Sequence, residues 1–254
     1  MRLQPLPALT DNYIWLLADN DGRALIVDPG EAAPVLAALD DAPDPHGILL
    51  THHHPDHIGG VPELLQRWPR LRVIAPRDER IATATQRVTN GDIVNIGPWR
   101  FEVLEIPGHT LSHVAFHGEG VLFSGDTLFS LGCGRLFEGT PAQMLASLHR
   151  LSALTGQTQL CCGHEYTLAN ATFALHVDPD NSDLRERAAQ ARARRDASSP
   201  TLPITLASER ACNPFLRSGT EAVLAALTVR LGRAPVDDVE AFATLRRWKD
   251  GFRE

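Results

Sequence analysis

The amino-acid sequence predicts an α/β fold up to about residue 163 and a mainly helical part after it. Apolar runs of strand length alternate with helical segments over the first part, whereas residues 165–254 show helical periodicity without alternating strands. Glycine followed by histidine or aspartate stands just beyond several predicted strands, which is typical of active sites in α/β folds. We therefore expect a mixed α/β domain at 1–163 and a mainly helical C-terminal domain at 164–254.

The α/β part begins with a predicted hairpin. Apolar runs at 12–18 and 23–28 flank the sequence Asp-Asn-Asp-Gly, whose residues favour a tight turn. The next predicted elements are a helix, a strand, a helix ended by proline and a further strand, at 31–39, 46–50, 58–68 and 72–75.

A second β-rich stretch follows, and the C-terminal part is predicted to be helical. Strands are predicted at 92–96, 99–106, 113–117, 121–124 and 159–162. Between the last two lie a glycine-rich loop at 125–139 and a helix at 140–151, for which Thr140 is a suitable N-cap. The C-terminal helices are predicted at 184–195, 221–231 and 237–248.

Composition and charge narrow the class of protein. The 254 residues are 43% hydrophobic and 22% charged, as in ordinary globular proteins, and the formal net charge of −7 argues against nucleic acid as a partner. No run of eighteen apolar residues is present, and residues 1–13 lack the apolar centre of a signal peptide. We expect a cytoplasmic, monomeric enzyme that acts on a small molecule and binds no membrane.

Four cysteines are present, and their spacing fits neither a zinc knuckle nor a disulfide framework. The adjacent Cys161 and Cys162 point to opposite faces of a predicted strand, so they are poor disulfide partners. We expect all four thiols to be reduced and at least two to be buried as small apolar residues.

Four histidines fall within six residues, directly after the predicted strand at 46–50. Imidazole and carboxylate are the natural ligands of zinc, iron and manganese. His52 and His54 are two residues apart in extended backbone, so they share a side and can bind one ion. Asp56 and His57 lie beyond the turn and can face a second ion, whereas His53 is expected to point away.

Three further candidate ligands each follow a glycine at the end of a predicted strand: His109, Asp126 and His164. Glycine permits the tight turn that presents the next side chain. Any one of these pairs is an ordinary structural feature by itself. Together with the histidine cluster they form seven candidate ligands at strand ends, and this joint pattern predicts a functional metal site.

The pattern H-x-H-x-D-H, followed by separate His, Asp and His residues, resembles the metallo-β-lactamase superfamily. Within it the resemblance is closest to the hydroxyacylglutathione hydrolases, also called glyoxalase II, and it covers nearly the whole chain. The stretches that carry it are 11–13, 26–30, 125–129, 132–140, 163–167 and 246–252. The resemblance implies a metallo-β-lactamase αββα sandwich as the catalytic domain at 1–163, with a mainly helical C-terminal domain at 164–254 that binds the substrate glutathione.

The resemblance also implies the ligand sets and the reaction. His52, His54 and His109 bind one divalent metal ion, and Asp56, His57 and His164 bind a second. Asp126 bridges both, and Asp56 also helps to orient the nucleophile. Asp56 and Asp126 are therefore the implied catalytic residues. The expected metal is zinc, with iron or manganese as alternatives. The implied reaction hydrolyses S-D-lactoylglutathione to glutathione and D-lactate by a metal-bridging hydroxide, the second step of methylglyoxal detoxification.

Four residues are implied as contacts to the two carboxylates of glutathione: Arg135, Tyr166, Arg246 and Lys249. Arg246 and Lys249 are three residues apart on a predicted helix and therefore share a face. The alternative is that they form a solvated basic end of that helix. Some family members have lysine at the position of Arg135 and tyrosine at that of Phe137, which leaves the effect on glutathione affinity open.

Several other activities use the same scaffold. A β-lactamase proper is disfavoured because many of those enzymes have cysteine where Asp126 stands. A mononuclear-iron glutathione persulfide dioxygenase is the main alternative, and seven ligands argue for two metals instead. The acidic charge disfavours a nuclease, and an open coordination position disfavours a non-catalytic metal module.

Overall fold

The computed structural model describes residues 2–40 and 42–253. They divide into two compact units. The first unit lies within residues 1–105, 112–125 and 161–164, and the second unit lies within 106–111, 126–160 and 165–254.

The first unit contains a six-stranded sheet in which the strands stand in sequence order. The strands are β1 (Arg2–Ala8), β2 (Asn12–Ala18), β3 (Ala24–Val27), β4 (Gly47–Leu49), β5 (Val73–Pro76) and β6 (Gln86–Val88). β1 to β3 are antiparallel, whereas β3 to β6 are parallel. The carboxyl ends of β3, β4 and β5 therefore meet at one edge of the sheet, and the histidine motif follows β4 at that edge.

The predicted hairpin is confirmed as β2 and β3, and Asp19 Oδ1 accepts hydrogen bonds from the N–H groups of Asp21 and Arg23 in its turn. β1 and β6 are strands that the sequence did not predict. β1 contains Pro5 and Pro7, and it can contain them because it lies at the edge of the sheet, where a missing N–H costs no ladder bond.

Short helices lie against this sheet: α1 (Ala33–Ala38), α2 (Pro55–Ile58) and α3 (Val61–Arg67). The predicted helix at 58–68 is wrong in its start, because α2 and α3 are separate and Gly59 and Gly60 stand between them. These glycines allow a close approach: a Cβ on Gly59 would lie 2.6 Å from the carbonyl oxygen of Gly30. The tight packing fixes α2, and with it Asp56 and His57.

A second sheet contains a meander of antiparallel strands, β7 (Ile93–Ile96), β8 (Trp99–Glu105), β9 (Val114–Gly118) and β10 (Val121–Gly125). Beside β10 lies β13 (Gln159–Cys162), whose last two residues belong to the first unit. Phe101, Phe116 and Phe123 are fully buried in this sheet. The meander and the strand at 159–162 were predicted correctly.

The second unit contains the helices α4 (Pro141–Ser152), α5 (Thr167–Val177), α6 (Ser182–Asp196), α7 (Leu206–Cys212), α8 (Glu221–Leu231) and α9 (Asp238–Gly251). Its strands are β11 (Leu128–Phe129), β12 (Gly132–Cys133) and β14 (Ile204–Thr205). Thr140 caps α4 as predicted, in a capping box with Gln143. Within the described residues, no helix is both long and apolar enough to cross a membrane.

Five elements of the second unit were not predicted as such: β11, β12, β14, α5 and α7. The segment 125–139 was predicted to be a loop, but it contains the small hairpin of β11 and β12. α5 was missed because its sequence is apolar without a one-sided pattern, and α7 because it has only seven residues. The predicted helices at 184–195, 221–231 and 237–248 are confirmed as α6, α8 and α9.

Candidate metal centre

His52 and His54 lie close together in the first unit. They follow β4 in extended backbone, and the distance from His52 Nε2 to His54 Nδ1 is 3.1 Å. Two nitrogens on one tetrahedral zinc ion are about 3.3 Å apart, given Zn–N bonds of about 2.0–2.1 Å. The spacing therefore suits a shared ion. The ring of His113, which the sequence analysis did not single out, stacks on His52 at a centroid distance of 4.5 Å.

Asp56, His57 and His164 form a second group in the first unit. Their ligand atoms all lie within 4.8 Å of one another. Asp56 Oδ2 is 3.5 Å from His57 Nε2 and 3.3 Å from His164 Nε2, again the spacing of ligands on one ion. Asp56 and His57 come from α2, whereas His164 follows β13, so the fold unites residues more than a hundred positions apart.

His109 and Asp126 lie together in the second unit. The distance from His109 Nε2 to Asp126 Oδ2 is 3.4 Å. His109 Nδ1 is 2.9 Å from the carbonyl oxygen of Arg135, which fixes the orientation of the ring. A side chain on Gly134 would overlap the carbonyl oxygen of Asp126, so glycine is required there.

Three polar residues near these ligands received no role from the sequence, and Asp28 is the most buried of them. Asp28 Oδ1 accepts from Thr51 N at 2.8 Å, and its Oδ2 accepts from Thr51 Oγ1 at 2.7 Å. The same Oδ2 lies 3.1 Å from Nδ1 of His57. Asp28 directly follows β3, which pairs in parallel with β4. Polar residues at the carboxyl ends of adjacent parallel strands often form active sites, and this was the signal that could have identified Asp28.

Asp11 and Asn12 are the other two. Asp11 Oδ1 lies 2.8 Å from His164 Nδ1, and Asn12 Nδ2 donates to Asp56 Oδ2 at 3.0 Å. Histidines that bind metals usually present their second ring nitrogen to a carboxylate or carbonyl, which leaves the other nitrogen free to act as the ligand. His57, His109 and His164 all have this arrangement.

His53 does not join the groups of ligands described above, as predicted. Its Nδ1 lies 3.4 Å from Asp78 Oδ2, and that oxygen also accepts from Arg80 Nη2 at 2.7 Å and from Ser112 Oγ at 2.5 Å. The hydrogen bonds from Arg80 hold the pKa of Asp78 well below its usual range. Asp78 therefore remains a carboxylate and keeps His53 in place.

The four residues expected at the glutathione site all lie in the second unit, and Arg246 differs most from a solvated cation. It is only 5% exposed, and its Nη1 donates to the carbonyl oxygen of Cys133 at 2.7 Å. Its Nη2 lies 3.0 Å from Asp250 Oδ1, and Arg135 Nε lies 3.7 Å from the same oxygen. Arg135 and Arg246 thus both lie beside the carboxylate of Asp250.

Lys249 and Tyr166 lie near the start of α5. Lys249 Nζ donates to the carbonyl oxygen of Ala169 at 2.8 Å and stands over the ring of Phe173. Tyr166 is the N-cap residue of α5, and its ring meets that of Phe129 edge to face. Phe137 is exposed and contacts the ring of His109 in the same manner.

All four cysteines are buried as thiols outside any disulfide. Burial raises the pKa of Cys133 to about 11 and that of Cys212 to about 11. We expect a thiol reagent at neutral pH to label the native protein slowly, because only the thiolate reacts and the sulfurs are shielded. A colorimetric thiol assay should detect four thiols after denaturation; rapid labelling of any cysteine in the native protein would contradict the described burial.

Comparisons with known proteins agree with this architecture. The family model described as "Metallo-beta-lactamase superfamily" matches residues 9–164, and that described as "Hydroxyacylglutathione hydrolase C-terminus" matches residues 165–252. The crystal structure of BLEG-1 B3 metallo-beta-lactamase has a TM-score of 0.65 and 26% identity, and the match covers 85% of this chain and 99% of that chain. The predicted metallo-β-lactamase fold with a helical C-terminal domain is confirmed.

Full-length relatives specify the family. A protein from Xylella fastidiosa named hydroxyacylglutathione hydrolase is 61% identical over 252 residues, which are 99% of this chain and 98% of that protein. A protein of the same name from Xanthomonas campestris pv. campestris is 60% identical over 254 residues, covering 100% of both chains. At this identity over both domains, the chain belongs to the hydroxyacylglutathione hydrolase family of the metallo-β-lactamase superfamily.

Proposed function

We propose that this chain is a thioester hydrolase that cleaves S-D-lactoylglutathione to glutathione and D-lactate. One observation carries the proposal: histidine and aspartate groups at the spacing of metal ligands occur in a chain that matches hydroxyacylglutathione hydrolases over its full length. The match to the C-terminal family model at 165–252 favours glutathione thioesters over the substrates of other metallo-hydrolases.

The histidine and aspartate clusters suit a dinuclear metal centre. His52, His54 and His109 would hold one ion, Asp56, His57 and His164 would hold the other, and Asp126 would contribute its carboxylate to both. Zinc fits this nitrogen and oxygen donor set, and iron or manganese are the alternatives. Two such ions, when bound, lower the pKa of a water molecule and polarise the thioester carbonyl.

The protein's own residues prepare the centre for that chemistry. Asp28 and Asp11 hold the Nδ1 atoms of His57 and His164, so that each Nε2 carries the lone pair that a metal requires. Asn12 donates to Asp56 Oδ2 and thereby orients a carboxylate that we assign to positioning the attacking water. A glutathione thiolate is a fair leaving group, so the reaction requires no strong general acid.

Arg135, Tyr166, Arg246 and Lys249 are our candidates for the glutathione contacts. Asp250 lies beside two of them, with Oδ1 at 3.0 Å from Arg246 and 3.7 Å from Arg135. A substrate carboxylate that binds these arginines therefore competes with Asp250 for the same donors. A bidentate carboxylate can win this competition because Asp250 is partly solvated.

The test is an assay of S-D-lactoylglutathione hydrolysis with thiol release monitored, together with metal analysis. We expect turnover with two metal ions per chain, loss of turnover after chelation and recovery on adding zinc. A β-lactam should not be cleaved. A metal-loaded protein that leaves the thioester intact would disprove the proposal, and one iron per chain with oxygen consumption on glutathione persulfide would replace it.

We expect Arg135→Ala and Lys249→Ala each to raise KM for S-D-lactoylglutathione by roughly tenfold, because each loses a charged hydrogen bond worth about 1.5–3 kcal/mol at most. kcat and metal content should stay at the wild-type level. Arg253→Ala removes an exposed cation just beyond α9 and serves as the control. An unchanged KM in both variants would show that glutathione binds elsewhere.

The domain boundary, compartment and oligomeric state are further parts of the proposal. We place the α/β domain at 1–163 and the helical domain at 164–254, and we expect a cytoplasmic monomer. Cell fractionation and light scattering on the purified protein test the last two. A dimer in light scattering would contradict the expected monomer.

A further inference from the structure

A buried turn in the second unit is held by polar side chains that the proposed reaction does not use. The turn joins β11 to β12 and comprises residues 129–132. Leu131 has a φ of +59°, a left-handed conformation that a residue with a branched side chain rarely adopts. A turn in this conformation requires support from its surroundings.

Glu209 in α7 provides much of that support. Its carboxylate is fully buried, and it accepts from Ser130 Oγ at 2.9 Å and from Leu131 N at 2.8 Å. Asn213 Nδ2 donates to Glu209 Oε2 at 3.0 Å. These three neighbours are all donors, so the site suits the carboxylate, although burial raises the pKa of Glu209.

The remaining polar groups of the turn are bonded by three other buried side chains. Arg187 Nη2 donates to Ser130 Oγ at 3.1 Å, and Asn170 Nδ2 donates to the carbonyl oxygen of Ser130 at 3.0 Å. Asn213 Nδ2 donates to the carbonyl oxygens of residues 129 and 132 at 3.1 and 3.0 Å. The conformation of the turn is thus set from α5, α6 and α7.

Both ends of this hairpin lead to proposed metal ligands. Asp126 lies two positions before β11, and Gly134, which follows β12, donates its N–H to the carbonyl oxygen of Thr127 at 3.1 Å. The next residue, Arg135, presents its carbonyl oxygen to His109 Nδ1 at 2.9 Å. A shift of the turn would therefore displace Asp126 and His109 together.

We infer that Glu209 is a positioning residue for the metal centre, acting through the 129–132 turn on Asp126 and His109. The inference rests on the proposed metal site. Glu209→Gln keeps the shape but removes the negative charge, so the bonds from Leu131 and Asn213 become weaker neutral ones. Its amide N–H₂ also requires the Ser130 hydroxyl to turn from donor to acceptor. The turn then loosens, and the two ligands lose their fixed separation.

The experiment measures zinc affinity of the full chain by competition with a chromophoric chelator, well below the unfolding temperature. We expect Glu209→Gln to weaken zinc binding by about 10–100-fold, as loss of outer partners of metal ligands typically does. Val223→Ala is the control, because Val223 is a buried apolar residue of α8. This variant should lower the midpoint of thermal unfolding and keep wild-type zinc affinity.

Wild-type zinc affinity in Glu209→Gln would overturn the inference, as would an equal loss in Val223→Ala. If Glu209→Gln does not fold, Ser130→Ala replaces it, because that variant removes the hydroxyl between Arg187 and Glu209. Unchanged affinity in Ser130→Ala would then decide against the inference. Should the wild type bind zinc without cleaving the thioester, the proposed function fails while this comparison still decides the role of Glu209.

Discussion

Asp126→Ala is expected to abolish turnover and to lose metal. The residue is buried after β10, and Oδ2 lies 3.4 Å from His109 Nε2. As the proposed bridge it carries the only negative charge assigned to both ions. Loss of an outer partner alone typically costs 10–100-fold in metal affinity or activity, so loss of the bridge should cost more than about 100-fold. Metal analysis and kcat/KM measure both effects.

Asp178→Ala is the matched control for this experiment. Asp178 is a buried carboxylate of the same unit that accepts from Arg217 at 3.1 Å and from Asn181 at 3.0 Å, and neither partner is a proposed ligand. Its loss should destabilise the protein while metal content and kcat stay near wild type. If Asp126→Ala retained two ions per chain, the assignment of Asp126 as the bridge would be wrong.

Asp28→Asn is expected to weaken metal binding by about 10–100-fold with little change in shape. Asparagine tolerates the left-handed φ of +51° at this position. However, its N–H₂ would replace the oxygen that faces His57 Nδ1 at 3.1 Å. The ring would then accept at Nδ1 and carry its proton on Nε2, and a protonated Nε2 cannot bind a metal. Isothermal titration calorimetry of the metal-free protein with zinc measures the loss of affinity.

A neighbouring acid provides the control for Asp28→Asn. Asp78 is also buried just beyond a strand of the same sheet, but its partners are Arg80, Ser112 and His53, none of them a proposed ligand. Asp78→Asn should lower stability by about 1–3 kcal/mol and keep zinc affinity. Equal zinc affinity in wild type and Asp28→Asn would show that Asp28 does not set the tautomer of His57.

Much of the fold could be predicted because its signals are local. Alternating apolar runs and turn residues identify β2, β3 and the meander, and the glycines before His109, Asp126 and His164 mark strand ends. β1 could not be predicted, because its two prolines oppose a strand unless its position at the sheet edge is known. The structure supplied that position.

The unpredicted parts of the site depend on pairing between distant segments. Asp28 faces Thr51 only because β3 and β4 are parallel and in register. Ser130 and Glu209 are 79 residues apart, and no local pattern relates them. Arg246 has the sequence of a solvated helix end, yet it is buried, with Nη1 bonded to the carbonyl of Cys133 and Nη2 beside the carboxylate of Asp250.

The support of the 129–132 turn from α5, α6 and α7 has a consequence for biosynthesis. All seven proposed ligands have been synthesised once the chain reaches His164. The turn between β11 and β12, however, gains its last buried donor only when Asn213 has followed. A nascent chain that ends between these residues presents Asp126 and His109 without the bonded turn that fixes their separation. The complete metal site is therefore expected to form only after Asn213 has been synthesised.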